Sequence, residues 1–477
     1  MFRPALGDLI SDNEEKKTVM VMKLPRIMIA APASGSGKTL ITCGILKALV
    51  NRGLRTASFK CGPDYIDPMF HSRVIGTRSG NLDTFFTEPN MTRYLFGTGA
   101  REAEISVVEG VMGYYDGLAG ISTKASSADV AGTLKMPVIL LVNCKGVSVS
   151  VLPLLQGFLE FESPSCIQGV ILNQVSQGMY PQLKGLIEER LPLQVLGYVP
   201  KLTDLVLESR HLGLVMPGEV EELQRKLQDL AELLERTLDL DVLLALAGEA
   251  PDLEYEVPKF PSLGRDKAVT VGVAEDEAFC FTYRENLQLL EEMGARLVRF
   301  SPLYDEELPA GIQGLILSGG YPELHAKALS ENTRMRDCVC RAVTEGLPCI
   351  AECGGFLYLH KSLEGADGEY YPMAGVLDAR AYRTDHLTRF GYVTLEGLAD
   401  QMLFEKGGKI RGHEFHYWDS DSCGSSMRAK KPLRERSWMC GHGSDTLYAG
   451  FPHLFFHSNP EAARNFLKKC EVTPCLH

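Results

Sequence analysis

The chain lacks several features that define whole classes of proteins. No apolar run approaches the roughly 20 residues that a membrane-spanning helix needs, and residues 1–15 lack the charged-then-apolar pattern of a signal peptide. Positive charge is in deficit, since 49 Lys and Arg face 61 Asp and Glu, which argues against a general affinity for nucleic acid or an anionic membrane. The 13 cysteines are odd in number and irregularly spaced, so no disulfide framework is expected. We therefore expect a soluble protein of the reducing cytoplasm.

The 477 residues suffice for two or three globular domains, and no internal repeat divides them. Buried-strand patterns alternate with helical patterns over residues 25–247, which predicts an α/β domain with a doubly wound parallel sheet. A second α/β domain is predicted over residues 268–470, where a new buried strand begins. Pro and Gly gather between the two domains, so residues 248–267 are predicted to be a linker. Residues 1–24 are predicted to be a loose, flexible extension.

A phosphate-binding loop is predicted near the start of the first domain. Residues 32–39 read Pro-Ala-Ser-Gly-Ser-Gly-Lys-Thr between a strand and a helix, which fits the end of the P-loop pattern, with proline where the first glycine usually stands. Gly35 and Gly37 let backbone N–H groups turn toward phosphates. Lys38 is suited to the outer phosphates and Thr39 to Mg²⁺. The predicted ATP-binding residues of this loop are Gly35, Ser36, Gly37, Lys38 and Thr39.

Acidic and amide side chains stand at the ends of three further predicted strands, where α/β sheets hold their ligands. Glu109 ends one strand and Asp64 follows another. Together with Thr39 they are the predicted ligands of Mg²⁺. Asn173 ends a third strand and is predicted to contact the adenine of ATP. Ordinary turn residues are the alternative at both Asp64 and Asn173.

A reactive cysteine is predicted in the second domain. Residues 351–356 read Ala-Glu-Cys-Gly-Gly-Phe between an apolar strand and a helix start, so Cys353 stands at a sharp strand-to-helix turn. Small neighbours are expected to leave room for a substrate, and the helix start is expected to favour the thiolate. Gly319 and Gly320 end an upstream strand and offer backbone N–H groups to an oxyanion. An inert buried thiol is the alternative, since free cysteines are often simply buried.

Histidines near the C-terminus supply candidate bases for this cysteine. His453 follows an aromatic strand end and is one candidate, and His457 is its rival for the role. Another pair, His413 and His416, has the spacing of a metal site on a helix. That stretch has strand character, which puts the two side chains on opposite faces and argues against metal binding.

Taken together, these motifs resemble the cobyrinic acid a,c-diamide synthases. The runs at 319–324 and 352–356 are similar to their glutamine amidotransferase domain, which is of the triad type. The run Lys-Cys-Gly-Pro-Asp-Tyr-Ile-Asp-Pro at 60–68 is similar to their ATP domain, which is dethiobiotin-synthetase-like. The resemblance implies that Cys353 attacks glutamine, and it favours His453 as the base. The triad type has His-x-Glu, whereas two apolar residues follow His453, so the group that orients the imidazole is open.

The resemblance implies amidation of the a and c acetate side chains of cobyrinic acid on the route to cobalamin. ATP and L-glutamine would be the other substrates, Mg²⁺ the cofactor and an acyl phosphate the intermediate. Alternatives are the same chemistry on hydrogenobyrinic acid or nickel-sirohydrochlorin and, from another class, a P-loop regulatory or scaffold protein with an inactive amidotransferase domain. The candidate contacts to the macrocyclic substrate are Tyr65, Asp67, Asp83, Arg210 and His413. The sequence leaves open the first residue (Met1, Met20 or Met22) and the assembly, a homodimer included.

Overall fold

The computed structural model of the chain describes residues 17–202, 217–263 and 268–476. The chain divides into two compact units, Met1–Pro258 and Lys259–His477. Among the described residues, none of the helices combines the length and the apolar character that a membrane crossing requires. All 13 cysteines are free thiols.

The first unit is built on a seven-stranded sheet in which every neighbouring pair is parallel. The strands of the first unit, in this sheet and outside it, are β1 (Val19–Met22), β2 (Arg26–Ala30), β3 (Thr56–Cys61), β4 (Arg78–Leu82), β5 (Ile105–Glu109), β6 (Val138–Asn143), β7 (Ile167–Asn173), β8 (Gln194–Val199) and β9 (Leu253–Glu256). Its helices are α1 (Lys38–Asn51), α2 (Ile66–Phe70), α3 (Pro89–Ala100), α4 (Ser127–Leu134), α5 (Val151–Glu160), α6 (Tyr180–Arg190), α7 (Pro217–Thr237) and α8 (Leu240–Glu249). The strands of the sheet follow the order β4-β3-β5-β2-β6-β7-β8.

Helices cover both faces of this sheet, as the sequence predicts. Along β2, Ile27 and Ile29 belong to one apolar core, which also contains residues of α1, α7 and α8. Met28 and Ala30 belong to a second core, which contains residues of α3 to α6. Because both faces are buried, the strand reads as a continuous apolar run, and successive side chains still alternate between the two cores. The doubly wound fold places the loops after β2, β3 and β5 at one edge of the sheet.

A small second sheet in this unit differs from the prediction. β1 lies in the stretch predicted to be a loose extension, and β9 lies in the stretch predicted to be a linker. The two strands pair antiparallel. On β9, Tyr255 is buried against α3, where a Cβ on Gly97 would lie 2.5 Å from its ring. Local composition does not reveal this pairing, because the partners are more than two hundred residues apart in the sequence.

The second unit contains three sheets. Its strands are β10 (Val269–Ala274), β11 (Ala295–Phe300), β12 (Gly314–Leu317), β13 (Cys349–Glu352), β14 (His360–Glu364), β15 (Tyr370–Pro372), β16 (Leu377–Arg383), β17 (Arg389–Gly397), β18 (Lys409–His416), β19 (Trp418–Ser420), β20 (Met427–Lys430), β21 (Ser437–Cys440), β22 (His442–Gly443), β23 (Leu447–Gly450) and β24 (His453–Leu454). Its helices are α9 (Arg284–Glu292), α10 (Ala326–Glu331), α11 (Thr333–Thr344), α12 (Gly354–Tyr358) and α13 (Pro460–Val472). The largest sheet has the order β11-β10-β12-β13-β23-β22 and is parallel except at the β22 edge.

Strand register in the second unit brings three chain segments together. β13 lies between β12 and β23 and is parallel to both, with Leu317 opposite Ala351 and Gly450 opposite Glu352. The carboxyl ends of these strands therefore meet at one edge of the sheet, and the loop of Gly319 and Gly320 follows β12 there. A five-stranded sheet of the order β21-β20-β17-β18-β24 contributes His453 on β24.

Candidate functional sites

The predicted phosphate-binding loop joins β2 to α1, and α1 begins at Lys38 with Gly37 at its N-cap. Gly35 has a φ of +75° and Gly37 a φ of +92°, so the loop requires glycine at both positions. The first N–H groups of α1 have no partner within the helix, and a 14-residue helix adds its dipole behind them. This arrangement suits an anion such as a phosphate.

Lys38 lies at the junction of two loops at the sheet edge. Its Nζ donates to the carbonyl of Met112 at 2.5 Å and lies 3.4 Å from the carbonyl of Ala33. Ala33 belongs to the phosphate-binding loop, and Met112 to the loop after β5. Burial, and next the charge of Lys60, lower the pKa of Lys38. The ammonium is thus held beside the helix start, where the sequence predicts the outer phosphates.

A buried ionic cluster lies next to this loop. Nζ of Lys60 is 2.6 Å from Oε1 of Glu109 and 2.6 Å from Oδ2 of Asp67. Burial acts to lower the pKa of Lys60, but the charges of Glu109 and Asp67 outweigh it, and the pKa lies above its usual value. Lys60 and Glu109 are register partners on β3 and β5, so sheet pairing forces the contact. The sequence motifs do not single out Lys60, although it begins the run 60–68.

Of the three predicted Mg²⁺ ligands, the structure brings two together. Oγ1 of Thr39 donates to Oε1 of Glu109 at 2.7 Å and lies 3.5 Å from Oδ2 of Asp67. Asp64, the third, instead holds its own turn, because its Oδ1 accepts the N–H groups of Ile66 and Asp67 at 2.8 and 3.2 Å. Burial, and next the charge of Asp67, raise the pKa of Asp64 to about 6.

The oxygen groups of this cluster fit Mg²⁺ in chemical type. A hydroxyl and two carboxylates are hard oxygen donors, which this ion prefers. Among the described residues, no group of three or more His, Cys, Asp and Glu could by itself hold a metal ion, so the protein would supply only part of the ligand shell. Such a partial protein shell is usual for Mg²⁺ in phosphoryl-transfer sites, where substrate phosphates and waters supply the remaining ligands. Thr39, Glu109 and Asp67 are the residues that would hold the ion.

Asn173 lies against the phosphate-binding loop. Its Nδ2 donates to the carbonyl of Ser36 at 2.9 Å, and its Oδ1 accepts from the N–H of Gln174. A Cβ on Gly37 would lie 2.9 Å from the same Nδ2. The amide is therefore engaged in bracing the loop, a contact that the sequence does not reveal. The predicted contact to adenine stays a prediction.

The candidate substrate residues of the first unit have different structural surroundings. Asp67 belongs to the ionic cluster. Asp83 is buried, and its Oδ1 accepts the N–H groups of Phe85 and Phe86 at 2.8 and 3.3 Å, which is the geometry of a turn-forming aspartate. Tyr65 is half-buried and directly precedes α2. Arg210 lies outside the described residues. The predicted contacts of these residues with the macrocycle stay predictions.

Cys353 occupies the strand-to-helix turn that the sequence predicts. Its backbone has φ of +48° and ψ of −103°, between β13 and α12, a conformation that costs a non-glycine residue energy and typically marks a functional position. Its N–H donates to the carbonyl of Gly450 at 2.8 Å, which ties the turn to β23. This is the geometry of a nucleophile elbow.

Glycines around the elbow permit close backbone approach. A Cβ on Gly355 would lie 2.1 Å from the carbonyl oxygen of Leu317, and one on Gly354 would lie 2.9 Å from the N of Gly320. The expectation that small neighbours leave room for a substrate is thus wrong for Gly355, because the end of β12 fills that space. The close approach of Gly354 to the backbone N of Gly320 places this predicted oxyanion donor directly beside the elbow.

The Cys353 thiol does not favour the thiolate in this structure. Burial, and next the charge of Glu323, raise its pKa above the usual value, while the N–H of Gly354 acts in the opposite direction. A helix start is expected to favour the thiolate. This one does not, because α12 has only five residues and burial among carboxylates outweighs its dipole. The cysteine therefore needs a base.

His453 lies at the same sheet edge. A Cβ on Gly319 would lie 2.3 Å from its Cε1, so the imidazole rests on the Gly319 backbone. Its Nδ1 lies 3.8 Å from Oε2 of Glu352, the residue before the cysteine. Burial lowers the pKa of His453 to about 3, so the ring is neutral at rest, and a negative charge close to it would strengthen it as a proton acceptor. The sequence does not point to a role for Glu352, because its proximity to His453 depends on the pairing of β13 with β23.

The rival base and the remaining candidate occupy different surroundings. His457 packs against the rings of Phe260 and Phe455, with centroids 5.6 and 5.7 Å away. His413 is the cross-strand partner of His453 on β18, and burial lowers its pKa to about 3. The contacts with Gly319 and Glu352 favour His453 as the base.

Comparisons with known proteins match both units. Residues 27–215 match the CobQ/CobB/MinD/ParA nucleotide binding domain, and residues 270–460 match the CobB/CobQ-like glutamine amidotransferase domain. The cobyrinate a,c-diamide synthase of Caldanaerobacter subterraneus subsp. tengcongensis is 41% identical over 446 residues, which cover 93% of this chain and 98% of that protein. That of Listeria monocytogenes serotype 4b is 40% identical, covering 91% and 97%. That of Salmonella typhimurium is 39% identical, covering 92% and 97%.

These matches run through both units in order and leave little of either chain unaligned. They agree with the two sites, one with a phosphate-binding loop and one with a cysteine elbow. The chain therefore belongs to the family of the cobyrinate a,c-diamide synthases.

Proposed function

We propose that this chain amidates the a and c carboxylates of cobyrinic acid, with ammonia from glutamine and energy from ATP, in cobalamin biosynthesis. The name of its relatives suggests the substrate. The observation that carries the chemistry is the presence of two sites on one chain. One has a helix start and a lysine suited to phosphates, and the other has a strained cysteine beside a buried, neutral histidine.

In the second unit, Cys353 acts as the nucleophile of a glutaminase. His453 takes the proton from Sγ as Sγ bonds to Cδ of the glutamine side chain, and the carbonyl electron pair moves to oxygen. The N–H groups of Gly319 and Gly320, beside the elbow, stabilise that oxyanion. Collapse breaks the Cδ–N bond, and the imidazolium returns its proton to the departing ammonia. Water then hydrolyses the thioester to glutamate.

In the first unit, a carboxylate of the macrocycle accepts the γ-phosphoryl group of ATP. Oxygen is a poor leaving group from a carboxylate, and the acyl phosphate so formed lets ammonia displace phosphate. The start of α1 and the ammonium of Lys38 stabilise the phosphate charge. Mg²⁺, held by Thr39, Glu109 and Asp67, supplies further charge neutralisation when bound. Lys60 keeps the two carboxylates in place.

Three macrocycles are candidates for the substrate. Hydrogenobyrinic acid and nickel-sirohydrochlorin present similar peripheral carboxylates, and the described residues include no contact that distinguishes them. Cobyrinic acid is preferred because the relatives carry its name. Free thiols at all 13 cysteines agree with a reducing cytoplasm as the site of the reaction.

Product analysis tests this function directly. The purified chain is incubated with ATP, Mg²⁺ and glutamine, and cobyrinic acid, hydrogenobyrinic acid and nickel-sirohydrochlorin are offered in parallel. We expect mass spectrometry to find a diamide of cobyrinic acid, formed with release of ADP and glutamate. A diamide from only one of the other macrocycles would retain the chemistry and reassign the substrate.

The scaffold alternative has its own outcome in this experiment. A chain with an inactive amidotransferase domain would release no more glutamate than its Cys353→Ala variant. The matched control is Cys475→Ala, which removes an exposed thiol far along the sequence from the elbow and should keep the parent rate.

A further inference from the structure

A base that must take a proton from a thiol works best when its other ring nitrogen is engaged. A partner at Nδ1 fixes the tautomer that leaves the lone pair on Nε2, and it stabilises the imidazolium that forms. The two residues that follow His453 are Leu454 and Phe455, so no carboxylate lies two positions further on. The structure therefore has to supply the orienting group from another part of the chain.

Glu352 lies where such a group is needed. Its Oε2 is 3.8 Å from Nδ1 of His453, and its Oε1 accepts the N–H of Leu454 at 3.0 Å. The carboxylate is thus anchored on the strand that carries the histidine. Both side chains are buried, with 9% of Glu352 and 2% of His453 exposed, so water does not compete for the contact.

The fold accounts for this placement. Glu352 ends β13 opposite Gly450 on β23, and the chain turns directly after β23 into β24. The same strand end therefore delivers the nucleophile at Cys353 and the carboxylate before it. Two further ionisable groups that face the imidazole are His413 and His416 on β18.

Neither neighbouring histidine can replace the carboxylate. Burial lowers the pKa of His413 to about 3 and that of His416 to about 4, so both are neutral. Nδ1 of His416 is already bonded to the carbonyl of Trp418 at 2.6 Å. Glu352 is the carboxyl group of this set. Burial raises its pKa to about 8, and an imidazolium that forms beside it favours the ionised carboxylate, so Glu352 supplies the negative charge as His453 takes the proton.

We propose that Glu352 is the positioning residue of His453 and takes the place of the acid that the His-x-Glu pattern would supply. When glutamine is bound, the gap between Oε2 and Nδ1 closes to a hydrogen bond, as contacts in free enzymes often tighten in the substrate complex. The carboxylate then accepts Nδ1–H and leaves Nε2 free for the thiol proton. This inference rests on the proposed glutaminase role of Cys353 and His453.

The variant Glu352→Gln tests the role with almost no change of volume. Its Oε1 can keep the bond from the N–H of Leu454, which turns the amide NH₂ toward Nδ1. That donor favours the tautomer protonated at Nε2, so proton transfer from Cys353 is impaired. We expect kcat for glutamine hydrolysis to fall by about 100-fold with little change in KM, and amidation supported by ammonium chloride to stay at the parent rate.

Two further readouts separate positioning from a merely structural effect. In a His453→Ala background, adding Glu352→Gln should cause no further loss, because the carboxylate acts through the imidazole. Glu352→Asp keeps the negative charge on a side chain that is one methylene shorter. Its kcat for glutamine should lie between those of Glu352→Gln and the parent. Glu352→Asp also serves as the test variant if Glu352→Gln does not fold, which calorimetry of the full chain would reveal.

Several outcomes overturn the inference. A kcat for glutamine within twofold of the parent in Glu352→Gln excludes the role. If Glu352→Gln lowers kcat further in the His453→Ala background, Glu352 acts through a group other than the imidazole. Equal glutaminase rates of the parent and Cys353→Ala would instead overturn the proposed function itself, before the role of Glu352 arises.

Discussion

At the scale of single residues, Lys60 determines the charge balance of the phosphate site. It lies between Glu109 and Asp67 at 2.6 Å from each, and the pair of carboxylates has little access to water. Two buried negative charges without a cation would repel each other and lose their hydration. The lysine therefore compensates charge within the site, and it holds both carboxylates close to Thr39.

Replacing Lys60 by Met keeps the length of the side chain and removes its charge. Because one partner of a buried ion pair is lost, we expect the free energy of unfolding to fall by about 3 kcal/mol or more. In a unit of this size, that corresponds to a drop of about 6–12 °C in Tm. Calorimetry of the full chain, in which the first unit contributes its own transition, provides the measurement.

Lys184→Met is the matched control for this prediction. Lys184 lies 2.6 Å from Glu188, the same separation as in the Lys60 pairs, but 39% and 37% of the two side chains are exposed. Exposed pairs contribute at most about 1 kcal/mol. Equal shifts of Tm in the two variants would show that burial does not determine the contribution of Lys60.

At the scale of elements, β9 illustrates how one short strand completes a core. It alternates between buried Leu253 and Tyr255 and exposed Glu254 and Glu256. Tyr255 packs on Gly97 of α3 and meets the ring of Tyr94 edge-on at 6.0 Å. The alternation is the pattern of a strand with one buried face. The Pro residues around β9 are typical of a linker, and for that reason the sequence predicts a linker here instead of a strand.

Tyr255→Ala should destabilise the first unit. Truncation of a buried aromatic side chain leaves a cavity and costs about 3–5 kcal/mol, which should appear as a clear fall in Tm of that unit. Glu254→Ala, one position away on the exposed face, should leave Tm nearly unchanged. If both variants unfold at the same temperature as the parent, the packing of β9 on α3 does not contribute to stability in solution.

At the scale of the whole molecule, two chemistries are carried by two compact units. The ammonia-producing groups belong to the second unit, and the phosphate-binding groups belong to the first. The first site is assembled from strand ends of one sheet, and the second from strand ends of two sheets of the same unit. The two half-reactions should therefore respond independently to substitution.

Separate loss of the half-reactions tests this organisation. Cys353→Ala should abolish amidation with glutamine and keep amidation with ammonium chloride, because ammonia is then supplied from solution. Lys38→Ala should lose both by at least about 100-fold, since the charge beside the phosphates is gone. Amide product is measured by mass spectrometry with each nitrogen source. Lys47→Ala, on the same helix as Lys38, serves as the control that keeps both activities.

Failure of ammonium to rescue Cys353→Ala would contradict independent sites. Retention of glutamine-dependent amidation by Lys38→Ala would show that the loop at residues 32–39 does not bind the reacting phosphate. The two outcomes affect different units, so each can be traced to its own site.

Much of the architecture was predictable because its signals are local. Apolar runs followed by glycine-rich turns predict β2, β5 and β13, and the loops at 32–39 and 351–356 occupy the strand-to-helix junctions expected of them. Positive φ angles at Gly35 and Gly37 explain why those positions carry glycine. The resemblance to one family of synthases rested on the same short runs, and the comparisons confirm the family.

The sequence by itself determined the fold class, the family and the positions of Lys38, Thr39 and Cys353, because a turn or a helix start needs only neighbouring residues. Tertiary structure alone decided which distant side chains meet. Lys60 reaches Glu109 through the register of β3 and β5, and Glu352 reaches His453 through the pairing of β13 with β23. The physical reason is that charge balance and imidazole orientation depend on distances of a few ångströms between strands, which no local pattern encodes.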